Sequence, residues 1–188
     1  MKLSKIATVK LFWLMCVAIL IAMSGCGEES EEKSKAMLTP VDLLPADNDI
    51  SGWAGLGAYE EANDYDGLYD LINGGAELFI DNGFVSAAFQ IYSNCIGEVC
   101  TTALVHLRIY DQGTEDNAMA TYDRVGAGIA IPWDGAGMEA RIDESGLASY
   151  TVEFWQRSFF IQIIIEEKTD EALNIAKLFA SHVSSEIG

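Results

Sequence analysis

The chain has 188 residues, half of them hydrophobic and 21% charged, with 11 Lys and Arg against 29 Asp and Glu. A net charge of −18 repels nucleic acid and anionic membrane surfaces, so no nucleic acid is expected as a partner. The length suits a single domain built on one core.

The first residues form an export signal. Lys2, Lys5 and Lys10 make a basic start, "LFWLMCVAILIAM" at residues 11–23 is an apolar core, and "SGC" follows. A core of about 13 residues is short against the ~20 needed to span a bilayer. Ser24 and Gly25 before Cys26 resemble the lipobox read by the bacterial lipoprotein signal peptidase, with Met23 where Leu is usual. Residues 1–25 are therefore read as a lipoprotein signal peptide. Cys26 becomes the mature N-terminus, acylated and anchored by its combined methylenes. Losing three lysines and no acids leaves 8 basic residues against 29 acidic ones, a net charge of −21.

Residues 26–38 carry the lipidated cysteine and a charged stretch, "GEESEEKSK", which cannot bury apolar area and reads as a disordered acidic tether. The domain is placed at 39–188. After "LTPVDLLPADNDISGW" the spacing predicts a helix over 66–81. Within it, "INGGAE" follows helical residues and has no phosphate-loop spacing. Glycine costs about 1 kcal/mol inside a helix, so Gly74 and Gly75 mark a break or a close backbone approach.

Two alternating runs, "FVSAAFQIYS" and "TTALVHLRIY", read as an antiparallel hairpin closed by "NCIGEVC". With Cys16 in the signal and Cys26 lipidated, Cys95 and Cys100 are expected to form a structural disulfide in an oxidising compartment. "GTEDNAMATYDRV" starts a helix with Thr114 as N-cap. A Gly-rich connection, "GAGIAIPWDGAGM", leads to a strand at 138–143, and "ASYTVEFWQ" and "SFFIQIIIEE" add two more. "TDEALNIAKLFASHVSS" puts Ala172, Ile175, Ala176, Phe179 and Val183 on one stripe of a final helix. The fold class is α+β, one antiparallel sheet of five to seven strands packed with two to three helices, in the order α-β-β-α-β(3–4)-α.

"LLPADNDISGW", "GLYDLINGGAELFIDNGF", "IYDQGTEDNAMATYDRV" and "EFWQRSFFIQI" carry a resemblance. They resemble successive blocks of a family of uncharacterised exported bacterial proteins, often lipoproteins, defined only as a domain of unknown function. Its most specific part is Leu68, Tyr69, Ile72, Asn73, Gly74, Gly75, Ala76 and Glu77, followed by Asp111, Gly113 and Ala118. The likeness covers most of residues 42–165, and this chain departs from it by Cys95, Cys100 and the Gly-rich insert near Trp133. It implies no reaction, cofactor or substrate.

Candidate chemistry is sparse. Alternation puts Val85, Ala87, Phe89 and Ile91 with Ala103, Val105, Leu107 and Ile109 on one apolar face of the hairpin. Gln90, Tyr92, His106, Arg108 and Tyr110 then share the other, and Glu153, Trp155 and Arg157 share a face further on. This surface reads either as a ligand site or as a solvated or helix-covered sheet face with cross-strand ion pairs, and the latter is expected. His106 has no GxSxG or HExxH companion, so no catalytic residue is assigned. Asp64, Asp66 and Gly67 fall on EF-hand positions, but Ala62 and Asn73 stand where the strongest ligands belong, so no metal or cofactor is expected. Asn73 and Glu77 are candidates for contact with a partner backbone.

The expectation is a membrane-anchored, extracytoplasmic, non-enzymatic binding or assembly module. Its partners are the membrane through the lipid, and an envelope protein or small-molecule ligand. The alternative is an envelope enzyme, hydrolase-like, using His106, Arg108 and Glu153. Gly27 is not the aspartate that resembles an inner-membrane retention signal, so outer-membrane attachment is expected.

Overall fold

The long strands of this chain carry an apolar row on one face and a mixed row of aromatic, aliphatic and polar residues on the other. Ile161, Ile163 and Ile165 alternate with Phe160 and Ile164, and Val105, Leu107 and Ile109 alternate with His106, Arg108 and Tyr110. Such strands need cover on both sides, and the computed structural model provides it. It describes residues 37–96 and 99–188, with side chains outside 95–102. The signal peptide, Cys26 and residues 27–36 of the tether lie outside the described residues.

The strands are β1 (Trp53–Gly55), β2 (Glu60–Ala62), β3 (Ser86–Ile96), β4 (Val99–Asp111), β5 (Ala130–Pro132), β6 (Glu139–Asp143), β7 (Tyr150–Gln156) and β8 (Phe159–Ile165). They form one sheet in the order β1-β3-β4-β8-β7-β6-β5, with β2 also pairing β3, and every pairing is antiparallel. The helices are α1 (Tyr65–Ile72), α2 (Ala76–Asp81), α3 (Glu115–Val125) and α4 (Asp170–Ile187). Residues 37–188 make one unit, an α+β domain on an antiparallel sheet.

The sheet has eight strands, not five to seven, because β1, β2 and β5 have three residues each. Runs that short carry no readable alternation. The predicted helix over 66–81 is interrupted by a 3-10 turn at Asn73–Gly75, so α1 and α2 are separate pieces.

Helix α4 covers one face. Thr169 caps it by accepting from the Ala172 amide at 3.2 Å, and Ala172, Ala176, Phe179, Ala180, Val183 and Ile187 are buried along one stripe. Phe179 meets Trp53 edge-on at 5.8 Å and Tyr92 at 5.0 Å. Truncating so central a ring costs about 3–5 kcal/mol. On the other face α1, α2 and α3 cover Ala87, Tyr110, Phe160 and Trp155, with Phe79 stacked on Tyr110 at 4.0 Å. Asp64 caps α1 through the Gly67 amide at 2.8 Å and Thr114 caps α3 through the Asn117 amide at 3.2 Å. In this structure Asp64 is thus a helix cap.

The register corrects the assignment of hairpin faces by one residue. Tyr92 pairs with Val105, Gln90 with Leu107 and Ala88 with Ile109, so these share the α4 face. Phe89 pairs with Arg108 and Ile91 with His106 on the opposite face. The cause is the length of the turn: Cys95 opposite Cys100 already sets even-numbered residues of β3 against odd-numbered ones of β4, and the irregularity between Ser93 and Cys95 adds two residues to β4 and so keeps the faces. Beyond it Cys95 and Cys100 are register partners in the backbone, while their side chains lie outside those described.

Candidate functional site

Four polar side chains on the helix-covered face are cross-strand neighbours. Arg108 of β4, Gln162 of β8, Glu153 of β7 and Arg141 of β6 are successive register partners. Arg108 donates to Gln162 Oε1 at 3.3 Å, Gln162 donates to Glu153 Oε1 at 2.8 Å, and Arg141 Nε donates to Glu153 Oε2 at 2.8 Å. Arg141 Nη2 lies 2.7 Å from the same Oε2 and donates to the Tyr122 carbonyl at 2.9 Å. The side chains of Arg141 and Glu153 are only 10% and 3% exposed. Burial raises the Glu153 carboxyl above its ordinary value, while the bonds from Gln162 and Arg141 work against that rise. Arg141 also stacks its guanidinium over the Tyr122 ring at 4.0 Å, which ties α3 to β6.

This ladder consumes the residues on which chemistry was expected. Both Glu153 oxygens are engaged, and Gln162 stands between Glu153 and Arg108. His106 lies in the next row and is bonded to Glu166 at 2.8 Å. His106, Arg108 and Glu153 therefore do not converge on one point. Trp155 is buried beneath the helices, and Tyr92 lies on the opposite face with its hydroxyl donated to the Pro45 carbonyl at 3.0 Å. Arg157 sits with φ +52° at the turn joining β7 to β8, not on the face of Glu153 and Trp155.

Asn73 and Glu77 stay on the surface. Glu77 accepts from the Tyr65 hydroxyl at 2.9 Å, and Tyr65 and Tyr69 stack at 6.0 Å on the exposed side of α1. Asn73 adopts φ +53°, ψ −137°, a region that favours glycine, at a cost of about 1–3 kcal/mol. Gly74 has open space where a Cβ would sit, so no contact among the described residues demands a glycine there.

A concave surface lies at the β5–β6 end of the sheet. A cavity of about 440 Å³ is bounded by Tyr122, Arg141, Glu139 and Met138, and by Trp133 and Asp134 of the Gly-rich connection. That connection is fixed in place. Ser181 Oγ donates to the Gly135 carbonyl at 3.2 Å, and the Gly137 amide donates to Ser184 Oγ at 3.0 Å, both from α4. Gly135 lies against the Trp133 indole so closely that a Cβ would stand 2.0 Å from the ring. Asp143 secures the other side by accepting from the amides of Gly128, Ile129 and Ser145 at 2.9, 3.0 and 2.8 Å. Partial burial works to raise the Asp143 carboxyl, but these amides outweigh it and bring it down to about 2.

Tyr122, Trp133, Asp134, Glu139 and Arg141 were not singled out in the sequence. Glu139 and Arg141 alternate within the predicted strand at 138–143, but nothing local says that Arg141 reaches Glu153 or that the insert folds back over them.

Comparison with known proteins adds little. No family model matches the chain, and no curated protein matches it. Among solved structures the chain is similar to the extracellular domain of PknH from Mycobacterium tuberculosis. The identity is 13%, the coverage 80% of this chain and 96% of that one, and the TM-score 0.47, too slight a likeness to bear on function.

Proposed function

We propose that this chain is a lipid-anchored protein of the bacterial envelope whose α+β domain is a non-enzymatic binding module. Export and anchoring rest on the basic start, the short apolar core and Ser24-Gly25-Cys26. Attachment to the outer membrane follows from Gly27 in place of the retention aspartate. The kinship with exported domains of unknown function, carried by Leu68–Glu77, belongs to the same proposal.

The observation that carries the binding role is how the polar groups are used. The charged row on the sheet is spent on its own cross-strand bonds, as a structural ladder would be, and the stapled cavity at the β5–β6 end is left to meet solvent. Such a cavity lies within the ~300–1,000 Å³ of small-molecule sites. The enzyme reading needs His106, Arg108 and Glu153 around one reacting atom, and Glu153 has neither a free oxygen nor access to solvent.

Expression in the native host with and without globomycin, followed by membrane fractionation, tests the anchor. Inhibitor-sensitive maturation and recovery in the outer-membrane fraction are expected, and soluble unlipidated protein would refute it. Capture from envelope extracts tests the module. Specific retention of a partner or small molecule supports it, and hydrolase turnover without retention overturns it.

A further inference from the structure

The cavity at the β5–β6 end has a lining that restricts what it can hold. Arg141 spends Nε and Nη2 on Glu153 and the Tyr122 carbonyl and also bonds the Tyr122 hydroxyl, which leaves one of its five N–H donors to the cavity it lines. Its positive charge is already matched by the buried Glu153, so towards the cavity it acts as a hydrogen-bond donor, not as an anion trap. Asp134 and Glu139 bring two carboxylates with no ion-pair partner among the described residues. Tyr122, Trp133 and Met138 supply apolar and aromatic surface between these polar points.

An occupant must accept a hydrogen bond from Arg141, donate to Asp134 and Glu139, and lay an apolar face on the rings. An anion is repelled by the two acids and by the strongly acidic domain. An ammonium satisfies the acids but leaves the guanidinium without an acceptor. A zwitterion places its carboxylate beside Glu153 and Glu139. Neutral hydroxyls both donate and accept, and a pyranose ring carries them around a C–H face that packs on aromatic side chains.

We infer that the cavity is a saccharide-binding site for a neutral sugar, with Asp134 and Glu139 accepting from its hydroxyls and Arg141 donating to them. The inference rests on the binding-module reading and specifies its ligand class. The rim requires no large rearrangement, because Ser181 and Ser184 of α4 and the Gly135–Trp133 contact already hold it, which reduces the ordering cost of binding.

The test is titration of the mature, lipidated protein in a sugar-free detergent with glucose, N-acetylglucosamine and their β-1,4 disaccharides. Glucuronate, glycine and choline serve as the anionic, zwitterionic and cationic counterparts, and tryptophan fluorescence and ligand-observed NMR report binding. Saturable binding of at least one neutral sugar is expected, with the three charged probes weaker. Replacing Asp134→Ala and Glu139→Ala together removes two exposed acceptors and no packing, so the fold should melt as before while affinity falls at least about tenfold. Trp133→Leu disturbs packing and is read only alongside its melting curve.

No binding of any neutral sugar up to about 10 mM, an affinity weaker than about −3 kcal/mol, overturns the inference. So does binding unchanged in the double variant, or tighter binding of a charged probe. Capture of an envelope partner without sugar binding sinks this site alone and leaves the binding module standing. Cleavage of the disaccharides would instead refute the non-enzymatic reading while keeping the site.

Discussion

Arg141→Leu is the sharpest test of the buried ladder. The substitution removes both nitrogens that reach Glu153 Oε2, at 2.8 and 2.7 Å, together with the bond to the Tyr122 carbonyl and the stack on its ring. It leaves a carboxylate only 3% exposed with Gln162 as its remaining partner. Breaking a buried pair from one side costs about 3–5 kcal/mol, a large share of the ~5–15 kcal/mol that holds a domain together. The sign with pH follows from Glu153. Its folded value lies above the ordinary 4.5, so the stability linked to it is full below that value and is lost as pH rises through the folded one. Removing Arg141 takes away an interaction that opposes the rise. The penalty is therefore greatest at pH 7 and shrinks on acidification towards pH 5. Urea unfolding at both pH values, followed by near-ultraviolet circular dichroism, measures it. The double variant Arg141→Leu/Glu153→Leu should recover much of the loss, less about 1 kcal/mol for the Gln162 amide left without its acceptor. A loss below about 1 kcal/mol at pH 7, or one equal at both pH values, would refute the buried pair.

Asp143 has the opposite sign. Its folded value is lowered to about 2, so the stability it lends is present above its unfolded value and lost as pH falls towards 2. Asp143→Ala should lower the neutral-pH urea midpoint and flatten the acid limb, and an unchanged acid limb would count against the amide cradle. Gly137→Ala should destabilise by more than about 1 kcal/mol in thermal melts, since φ is +60° and the new Cβ would meet the Trp155 carbonyl oxygen at 2.5 Å. Asn73→Gly should raise the melting temperature by relieving φ +53°, a gain of about 1 kcal/mol, and a drop would show that the Asn side chain is needed there. Cys95 and Cys100, partners in the β3–β4 register, are proposed as a disulfide. Thiol counting on the mature protein should find neither free, and two reactive thiols would exclude the bridge.

The long elements were legible because their periodicity is strong. α3, α4 and the strands β3, β4, β7 and β8 stand where apolar spacing put them, since eleven or eighteen residues of amphipathic helix leave little room for another period. β1, β2 and β5 are defined by their neighbours: Trp53 to Gly55 and Glu60 to Ala62 become strands because β3 offers its outer edge. The hairpin faces were misread for a different reason. Matching the two more apolar rows sets Phe89 and Ile91 with Val105 and Leu107, whereas the register from the Cys95–Cys100 pair onward sets even-numbered residues of β3 against odd-numbered ones of β4, so Tyr92 and Gln90 lie with Val105 and Leu107, away from His106 and Arg108. The site suffered more than the fold. Glu153 and Arg108 were recognised as polar residues in apolar strands, but their partners Arg141 and Gln162 are set by strand order, which local pattern does not encode.

The distribution of charge adds a constraint that composition alone would not give. Residues 37–188 hold only six Lys and Arg, at 108, 124, 141, 157, 168 and 177. Arg108 and Arg141 are drawn into the ladder, and Arg124 reaches Asp81 at 3.2 Å and the Asn82 side chain at 3.1 Å, joining α3 to the end of α2. Lys168 donates to the carbonyls of Glu144 and Gly146, closing the loop after β6, and Lys177 lies over the Trp133 ring at 5.8 Å beside the cavity. Five of the six cations are thus bound to specific neighbours, while most of the acids face water. From 37 to 107 there is no Lys or Arg at all, so apart from Asp81, which Arg124 reaches, the half of the chain containing α1, α2 and the Asn73 turn presents acid with little local compensation. Such a surface repels a second copy of itself and any anionic lipid head group, with a range of about 8 Å at physiological salt. A neutral ligand is exempt from that repulsion, so its affinity for the cavity should change little between low and high salt, whereas a basic protein partner docking on the α1 surface would weaken steeply. Salt titration therefore separates the two modes of binding: a tenfold loss of sugar affinity on raising salt would mean that charge, and not hydroxyl recognition, governs the site.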